Sequence, residues 1–133
     1  MTGLDTNILV RYLTQDDPIQ SPAATQILEK RHSEANPGFI SVVAIAEMVW
    51  VLDRGYGFEN HEIAGAIERL LQADRLVVEH EQEVFEAMLA LRAGHADFAD
   101  ALIGALGSKA GCTSTLTFDR KAARLPGFAL AAP

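Results

Sequence analysis

The sequence predicts an α/β fold, a three-layer α/β/α sandwich around a parallel sheet of short strands. Short apolar segments alternate along the chain with longer segments in which apolar residues recur at helical spacing. This alternation is typical of parallel strands joined by helical crossovers. The chain has 133 residues, the size of one domain, and shows no internal repeat or linker. We therefore expect a single domain.

Local signals start and end the predicted elements of the first half of the chain. A short strand ends at Asp5, and apolar residues at helical spacing between residues 8 and 13 predict the first helix. Ser21 and Pro22 predict the start of a second helix, with Ser21 as its cap and Pro22 at its first position. The breaker sequence at 36–38 ends that region, and Ser41 caps a long apolar helix.

The second half repeats the pattern of short strands and longer helices. Apolar residues at helical spacing between 63 and 71 predict one helix, and Asp97 and Asp119 open two more. The predicted strands span residues 3–4, 39–40, 76–78, 113–117 and 128–130, and the predicted helices span 7–13, 21–32, 41–53, 60–73, 83–94, 97–110 and 119–124. Ligands of parallel sheets bind beyond the carboxyl ends of the strands, which is where Asp5 and Asp119 fall.

Composition narrows the classes of protein to consider. The formal net charge of −7 disfavours a protein that binds nucleic acid through a basic patch alone. It does not exclude an enzyme that meets phosphate through a bound metal, because such a site is itself acidic. The single cysteine, Cys112, excludes an internal disulfide and favours a reducing cytoplasm. No apolar run approaches the ~20 residues that cross a bilayer, so we expect no membrane association.

Glu47 is the only ionisable residue in the apolar helical segment 41–52. Its neighbours three and four positions away are Val43, Ala44, Trp50 and Val51, and this pattern predicts a buried carboxylate. Such a group needs a cation, a hydrogen bond or a proton, because a buried unpaired carboxylate costs several kcal/mol. Metal binding is one interpretation, and a neutral or side-chain-paired structural glutamate is the other.

Two aspartates, Asp97 and Asp100, stand three positions apart and so share one helix face. They could form a capping box, and for Asp97 capping alone is a sufficient account. Asp100 heads the apolar run 101–106, which favours a role in a site. Asp5 and Asp119 have the same alternative, because aspartate is a common helix cap.

Considered together, the acids Asp5, Glu47, Asp100 and Asp119 favour metal chemistry. The predicted sheet would bring its strand ends and helix starts to one rim. Clustered carboxylates repel one another and persist mainly through protonation or a shared cation. Ligand sets made only of oxygen select Mg²⁺ or Mn²⁺, ions that activate water and stabilise charge on a transferring phosphoryl group. The sequence contains no Gly-x-Ser-x-Gly motif, no P-loop and no histidine–cysteine spacing of a zinc site.

Four segments in order along the chain resemble the motifs of the PIN-domain family. They are LDTNIL at 4–9, ISVVAIAE at 40–47, DFADALI at 97–103 and TFDRK at 117–121. Together they span nearly the whole chain, and the combination is far more specific than any one segment. Small single-domain members of this family are mostly VapC-type toxin ribonucleases, and the chain resembles these.

The resemblance implies a single PIN-like domain over residues 1–133 that hydrolyses RNA phosphodiester bonds with Mg²⁺ or Mn²⁺. It implies catalytic, metal-ligating roles for the four acids and supporting roles for three further residues, Thr6, Asp97 and Thr117. It also implies a cytoplasmic homodimer that a VapB-like antitoxin blocks. Independently of the resemblance, the cluster of Arg120, Lys121 and Arg124 beside Asp119 could hold RNA phosphates, with a solvated helix face as the alternative.

Other functions are disfavoured by single residues. Haloacid-dehalogenase-like phosphatases need a second aspartate two positions after the first, and here that position is Asn7. A catalytically weak PIN-like module that only binds RNA or regulates would be favoured by loss of one of the four acids, and all four are present. A housekeeping nuclease outside a toxin–antitoxin pair remains the alternative to a toxin.

Overall fold

Strands and helices alternate along the chain, which confirms the predicted α/β class. The computed structural model describes residues 1–132. Its strands are β1 (Thr2–Gly3), β2 (Gly38–Ile40), β3 (Leu76–Val78), β4 (Thr115–Thr117) and β5 (Phe128–Leu130). Its α-helices are α1 (Thr6–Thr14), α2 (Gln20–Gln26), α3 (Val42–Tyr56), α4 (Asn60–Gln72), α5 (Glu81–Arg92) and α6 (Phe98–Lys109). A wider π-type turn, Ile27–Arg31, continues α2, and Ala122–Arg124 forms a 3₁₀ turn.

Residues 1–81 form the first of two compact units of the chain. Its strands β1, β2 and β3 are hydrogen-bonded in that order and run parallel, with Gly38 of β2 opposite both Thr2 and Leu76. α1 and α2 connect β1 to β2, and α3 and α4 connect β2 to β3. The carboxyl ends of parallel strands meet at one edge of a sheet, so Asp5 after β1 and Ser41 after β2 lie along the same edge.

Side-chain caps start the two helices that leave this edge. Asp5 accepts a hydrogen bond from the Thr6 N–H at 2.7 Å, and the Ser41 hydroxyl accepts one from the Ala44 N–H at 3.1 Å. Such bonds satisfy N–H groups that have no partner inside the helix. At the far end, α3 stops at Gly57, whose φ of 65° lies in the left-handed region that glycine adopts without strain.

The second unit covers residues 82–133, and its described part contains a two-stranded parallel sheet with Thr115 of β4 opposite Phe128 of β5. Gly104 lets α6 lie against the Phe128 ring, because a Cβ atom at position 104 would sit 2.3 Å from the ring carbon Cε1. Asp119 follows the carboxyl end of β4. The expectation of one domain over residues 1–133 stays a prediction.

Apolar side chains fill the interior of each unit and supply the main driving force for its folding. In the first unit they come mainly from the faces of α1, α3 and α4 that point away from solvent. The largest apolar side chains that are fully buried are Leu9, Ile40, Ile45, Met48, Leu52 and Ile67 in the first unit, and Val84, Met88 and Phe98 in the second.

The predicted cap of the second helix is wrong. α2 begins at Gln20, one residue before Ser21, and its first N–H groups are bound by Asp17, whose Oδ1 accepts from Ile19 at 2.9 Å and from Gln20 at 2.6 Å. Ser21 is buried, and its hydroxyl donates to the carbonyl of Arg11 at 2.8 Å. The Ser21 hydroxyl therefore binds to α1, and Asp17 provides the hydrogen bonds at the start of α2.

The helix predicted over 119–124 is also wrong, because only the 3₁₀ turn Ala122–Arg124 forms there. Leu125 has extended backbone angles, with φ −73° and ψ 147°. It precedes Pro126, and a residue before proline is sterically pushed out of the helical region.

Within residues 1–132, no helix is both long enough and apolar enough to cross a membrane.

Candidate active site

Asp5, Thr6 and Glu47 lie together in the first unit. The buried Thr6 hydroxyl donates a hydrogen bond to Oε1 of Glu47, and the Thr6 N–H donates to Oδ1 of Asp5. One residue therefore joins two carboxylates that are 42 positions apart in sequence. Within residues 1–132, Oδ2 of Asp5 and Oε2 of Glu47 have no protein donor, so one oxygen of each carboxylate is available to a further ligand.

Glu47 is exposed, and the prediction that it is buried is wrong. Two of its flanking apolar residues are themselves at the surface, because Val43 is 72% and Trp50 61% exposed. The apolar neighbours on its other side behave differently, with Ala44 buried and Val51 partly buried. Apolar spacing locates the neighbours of a helical residue, but it does not tell whether another element covers them. Of the ways to satisfy the carboxylate considered above, a hydrogen bond, from Thr6, is the one observed.

A concavity of about 350 Å³ opens over this pair of carboxylates. Besides the three residues above, its wall is formed by Asn7, Val10, Arg11, Val51 and Tyr56. Arg11 and Tyr56 were not among the residues predicted for the site from the sequence. The spacing of Asn7 and Arg11 could have signalled one of them, because residues four apart share a helix face. Tyr56 comes from the far end of α3, and no local signal points to it.

A second group of acids lies in the second unit, around the start of α6. Asp97 occupies the N-cap position by its backbone angles, but its side chain makes no capping hydrogen bond, so the capping box considered with Asp100 does not form. Burial raises the pKa of Asp100 above its usual value, and the negative charges of Asp97 and Asp119 raise it further, against a smaller opposing effect of Lys121. These acids therefore repel one another, as carboxylates brought close together do.

Asp119 caps the turn that follows β4. Its Oδ1 accepts from the N–H of Lys121 at 2.8 Å and of Ala122 at 3.3 Å, and its own N–H donates to the Thr117 hydroxyl at 3.0 Å. The capping alternative is thus realised for one oxygen of Asp119, while Oδ2 has no protein donor in the part of the chain that the structure describes. Thr117 fixes the backbone at Asp119 through this hydrogen bond, and its supporting role in an active site stays a prediction.

The remaining candidate residues are placed as follows. Arg120, Lys121 and Arg124 are all exposed beside Asp119. The structure brings together Asp5, Thr6 and Glu47 in the first unit, and Asp97, Asp100 and Asp119 in the second. Among residues 1–132, no group of three or more His, Cys, Asp or Glu side chains has the arrangement of a metal site.

Comparison with known proteins decides the family. The sequence profile of the PIN domain matches residues 4–127. The chain belongs to the PIN-domain family. The resemblance noted from the four motifs is confirmed, and so is the predicted three-layer α/β/α fold with a short parallel sheet. The chain is also similar to the VapC ribonuclease of Aquifex aeolicus (strain VF5), with 25% identity over 125 residues, which cover 94% of this chain and 92% of that protein.

Proposed function

We propose that this PIN-domain protein is a metal-dependent endoribonuclease and the toxin of a VapBC-type toxin–antitoxin pair. The observation that carries the proposal is the joining of Asp5 and Glu47 through Thr6, beside a concavity at the carboxyl edge of the first sheet. Each carboxylate keeps one oxygen free of protein donors among the described residues. Similarity to a VapC ribonuclease over most of both chains supports RNA as the substrate.

The donor set fits a hard divalent cation. Carboxylate oxygens are the ligands that Mg²⁺ and Mn²⁺ prefer, and in this proposal Asp5, Glu47, Asp100 and Asp119 hold the ion. When bound, the ion would supply an activated water and offset the charge that develops at phosphorus. The residues around it have their own tasks, since Thr6 orients two carboxylates and Thr117 anchors the backbone of Asp119.

Substrate binding needs positive charge close to these acids. Arg120, Lys121 and Arg124 are exposed next to Asp119, and we propose that they contact RNA phosphates. Asp97 adds negative charge beside Asp100 and makes no capping hydrogen bond, so we place it at the margin of the site.

RNA cleavage by the purified protein should be abolished by EDTA and restored by an excess of Mn²⁺ or Mg²⁺, because in this proposal the metal ion supplies the activated water and offsets the charge that develops at phosphorus. The measurement is cleavage of total cellular RNA, with the new 5′ ends mapped. Zn²⁺ serves as the comparison ion, and it should restore less because the proposed ligands are all oxygen. Cleavage that continues undiminished in EDTA would disprove the metal-dependent mechanism.

We further propose that two copies of the chain pair through the exposed apolar residues of α3, Val43 and Trp50. Trp50→Glu should convert a dimer into a monomer in sedimentation at micromolar concentration, because it places a charge in an apolar contact. Ile19→Glu is the matched control, since Ile19 is an exposed apolar residue outside α3 and should leave the dimer intact. A wild-type chain that sediments as a monomer would refute the pairing.

The proposed function includes an antitoxin that binds at the concavity beside Asp5 and Glu47. An acidic concavity with free carboxylate oxygens is complementary to a basic peptide, and arginine matches a carboxylate with two parallel hydrogen bonds. We propose that a VapB-like antitoxin inserts such an arginine between Asp5 and Glu47 and thereby occupies the position of the metal. The cytoplasmic location that goes with this pairing stays a prediction.

A further inference from the structure

Arg11 contributes a positive charge to the wall of the concavity that holds Asp5, Thr6 and Glu47. It lies in α1, and the set of acids and cations in the proposed function does not include it. About a third of its side chain is exposed to solvent. The Arg11 side chain is therefore accessible from solvent and close to the two carboxylates.

The guanidinium of Arg11 is held from three separate segments of the first unit. Nε donates to Oε1 of Gln20 at 2.9 Å, and Nη1 donates to the Tyr56 hydroxyl at 3.1 Å and to Oδ1 of Asp16 at 3.3 Å. The Tyr56 hydroxyl in turn donates to Oδ2 of Asp16 at 2.8 Å. These contacts fix the guanidinium before any ligand arrives, so less side-chain entropy is lost on binding.

Arg11 forms its ion pair with Asp16 and is not paired with the site carboxylates of Asp5 and Glu47. Had Arg11 paired with Asp5 or Glu47, it would compete with a metal ion for the same oxygens. In residues 1–132, its Nη2 atom donates to no protein acceptor, so two N–H groups remain for a ligand. The hydrogen bond to Tyr56 raises the pKa of Arg11, which keeps the guanidinium charged.

We propose that Arg11 binds a non-bridging oxygen of an RNA phosphate adjacent to the phosphate that is cut. This inference rests on the proposed ribonuclease function. A guanidinium fork matches the oxygens of a phosphate, and a chain with net charge −7 needs local cations to hold a polyanion beside its carboxylates. Arg11 makes and breaks no bond in the reaction, and its part is to hold the strand in register with the acids.

The experiment measures binding of a fluorescein-labelled single-stranded RNA of mixed sequence by anisotropy, in EDTA, over a series of salt concentrations. Arg11→Met should weaken binding by about tenfold at low salt, because charge-assisted hydrogen bonds to phosphate are lost. The slope of log Kd against log salt should fall by about 0.7, the value for one phosphate contact to a single strand. Tyr56→Phe keeps the charge but removes one anchor of the guanidinium, and it should weaken binding less.

Arg54→Met is the matched control, because Arg54 is an exposed arginine of the same unit, and neither it nor its ion-pair partner Asp53 lines the concavity. It removes the same charge and should leave the affinity within twofold of wild type and the salt slope unchanged. A purely structural role of Arg11 would lower the melting temperature without changing the salt slope of the folded protein. The inference is overturned if Arg11→Met and Arg54→Met have equal affinities and slopes.

Failure of this inference is distinguishable from failure of the proposed function. If wild-type protein cleaves RNA with Mn²⁺ but Arg11→Met binds and cleaves as well as Arg54→Met, only the role of Arg11 is lost. If binding depends on Arg11 but no metal supports cleavage, the anion site stands and the nuclease does not.

Discussion

Glu47→Gln should lower the rate of RNA cleavage by at least about tenfold and leave the fold intact. Even residues outside the metal's own ligand shell contribute 10- to 100-fold to such sites, so loss of a ligand charge should cost no less. The shape of the side chain is retained, and the amide oxygen can still accept the hydrogen bond from the Thr6 hydroxyl. Glu47 is exposed, so the substitution removes no core packing. Single-turnover cleavage in Mn²⁺, with melting temperature as the check on folding, measures the effect.

Asp53→Asn provides the control on the same helix. Asp53 lies in α3, is exposed, and its side chain pairs only weakly with Arg54 at 3.7 Å. The substitution Asp53→Asn removes the same charge as Glu47→Gln and should change the cleavage rate by less than twofold. Equal cleavage by Glu47→Gln and Asp53→Asn would show that Glu47 is a surface residue bound to Thr6 and nothing more.

Asp100→Asn should have two opposite effects on stability. In EDTA at neutral pH it should raise the melting temperature, because it removes a negative charge that is partly buried beside Asp97 and Asp119. In millimolar Mn²⁺ it should lose most of the stabilisation that the metal gives wild type, which is about 2.7 kcal/mol at a hundredfold excess over Kd. The measurement is a melting series on both proteins with and without metal.

The pH dependence gives this prediction a second test. The pKa of Asp100 is raised in the folded protein, so the folded form holds its proton more tightly than the unfolded chain does. Ionised Asp100 therefore opposes folding above the folded pKa, and this penalty disappears as the pH falls toward the unfolded value of about 3.9. The gain of Asp100→Asn over wild type in EDTA should shrink over the same range.

Asp97→Asn is the control for Asp100, since it removes an equal charge three positions earlier. Asp97 is exposed and its side chain makes no capping bond, so the metal-free gain and the loss of metal response should both be smaller. A variant Asp100→Asn that melts lower than wild type in EDTA and keeps its full response to Mn²⁺ would mean that Asp100 is structural and that the site is misplaced.

The sequence by itself determined the alternation of strands and helices, the family, and the helix starts at Asp5 and Ser41. The elements and the helix starts rest on local physics: apolar spacing sets the type of element, and a capping residue acts on N–H groups within three positions of itself. The four PIN-like segments needed only their order and spacing to be recognised, and the profile match over residues 4–127 bears them out.

Only the tertiary structure decided which side chains face solvent and which distant residues meet. Glu47 looked buried because its helical neighbours are apolar, but no other element of the first unit covers Val43 and Trp50. Ser21 looked like a cap, but its hydroxyl reaches a carbonyl ten residues away in α1. The hydrogen bond from Arg11 to Tyr56 joins residues 45 positions apart. Burial and long-range hydrogen bonds depend on how elements pack, and no local spacing in the sequence encodes that packing.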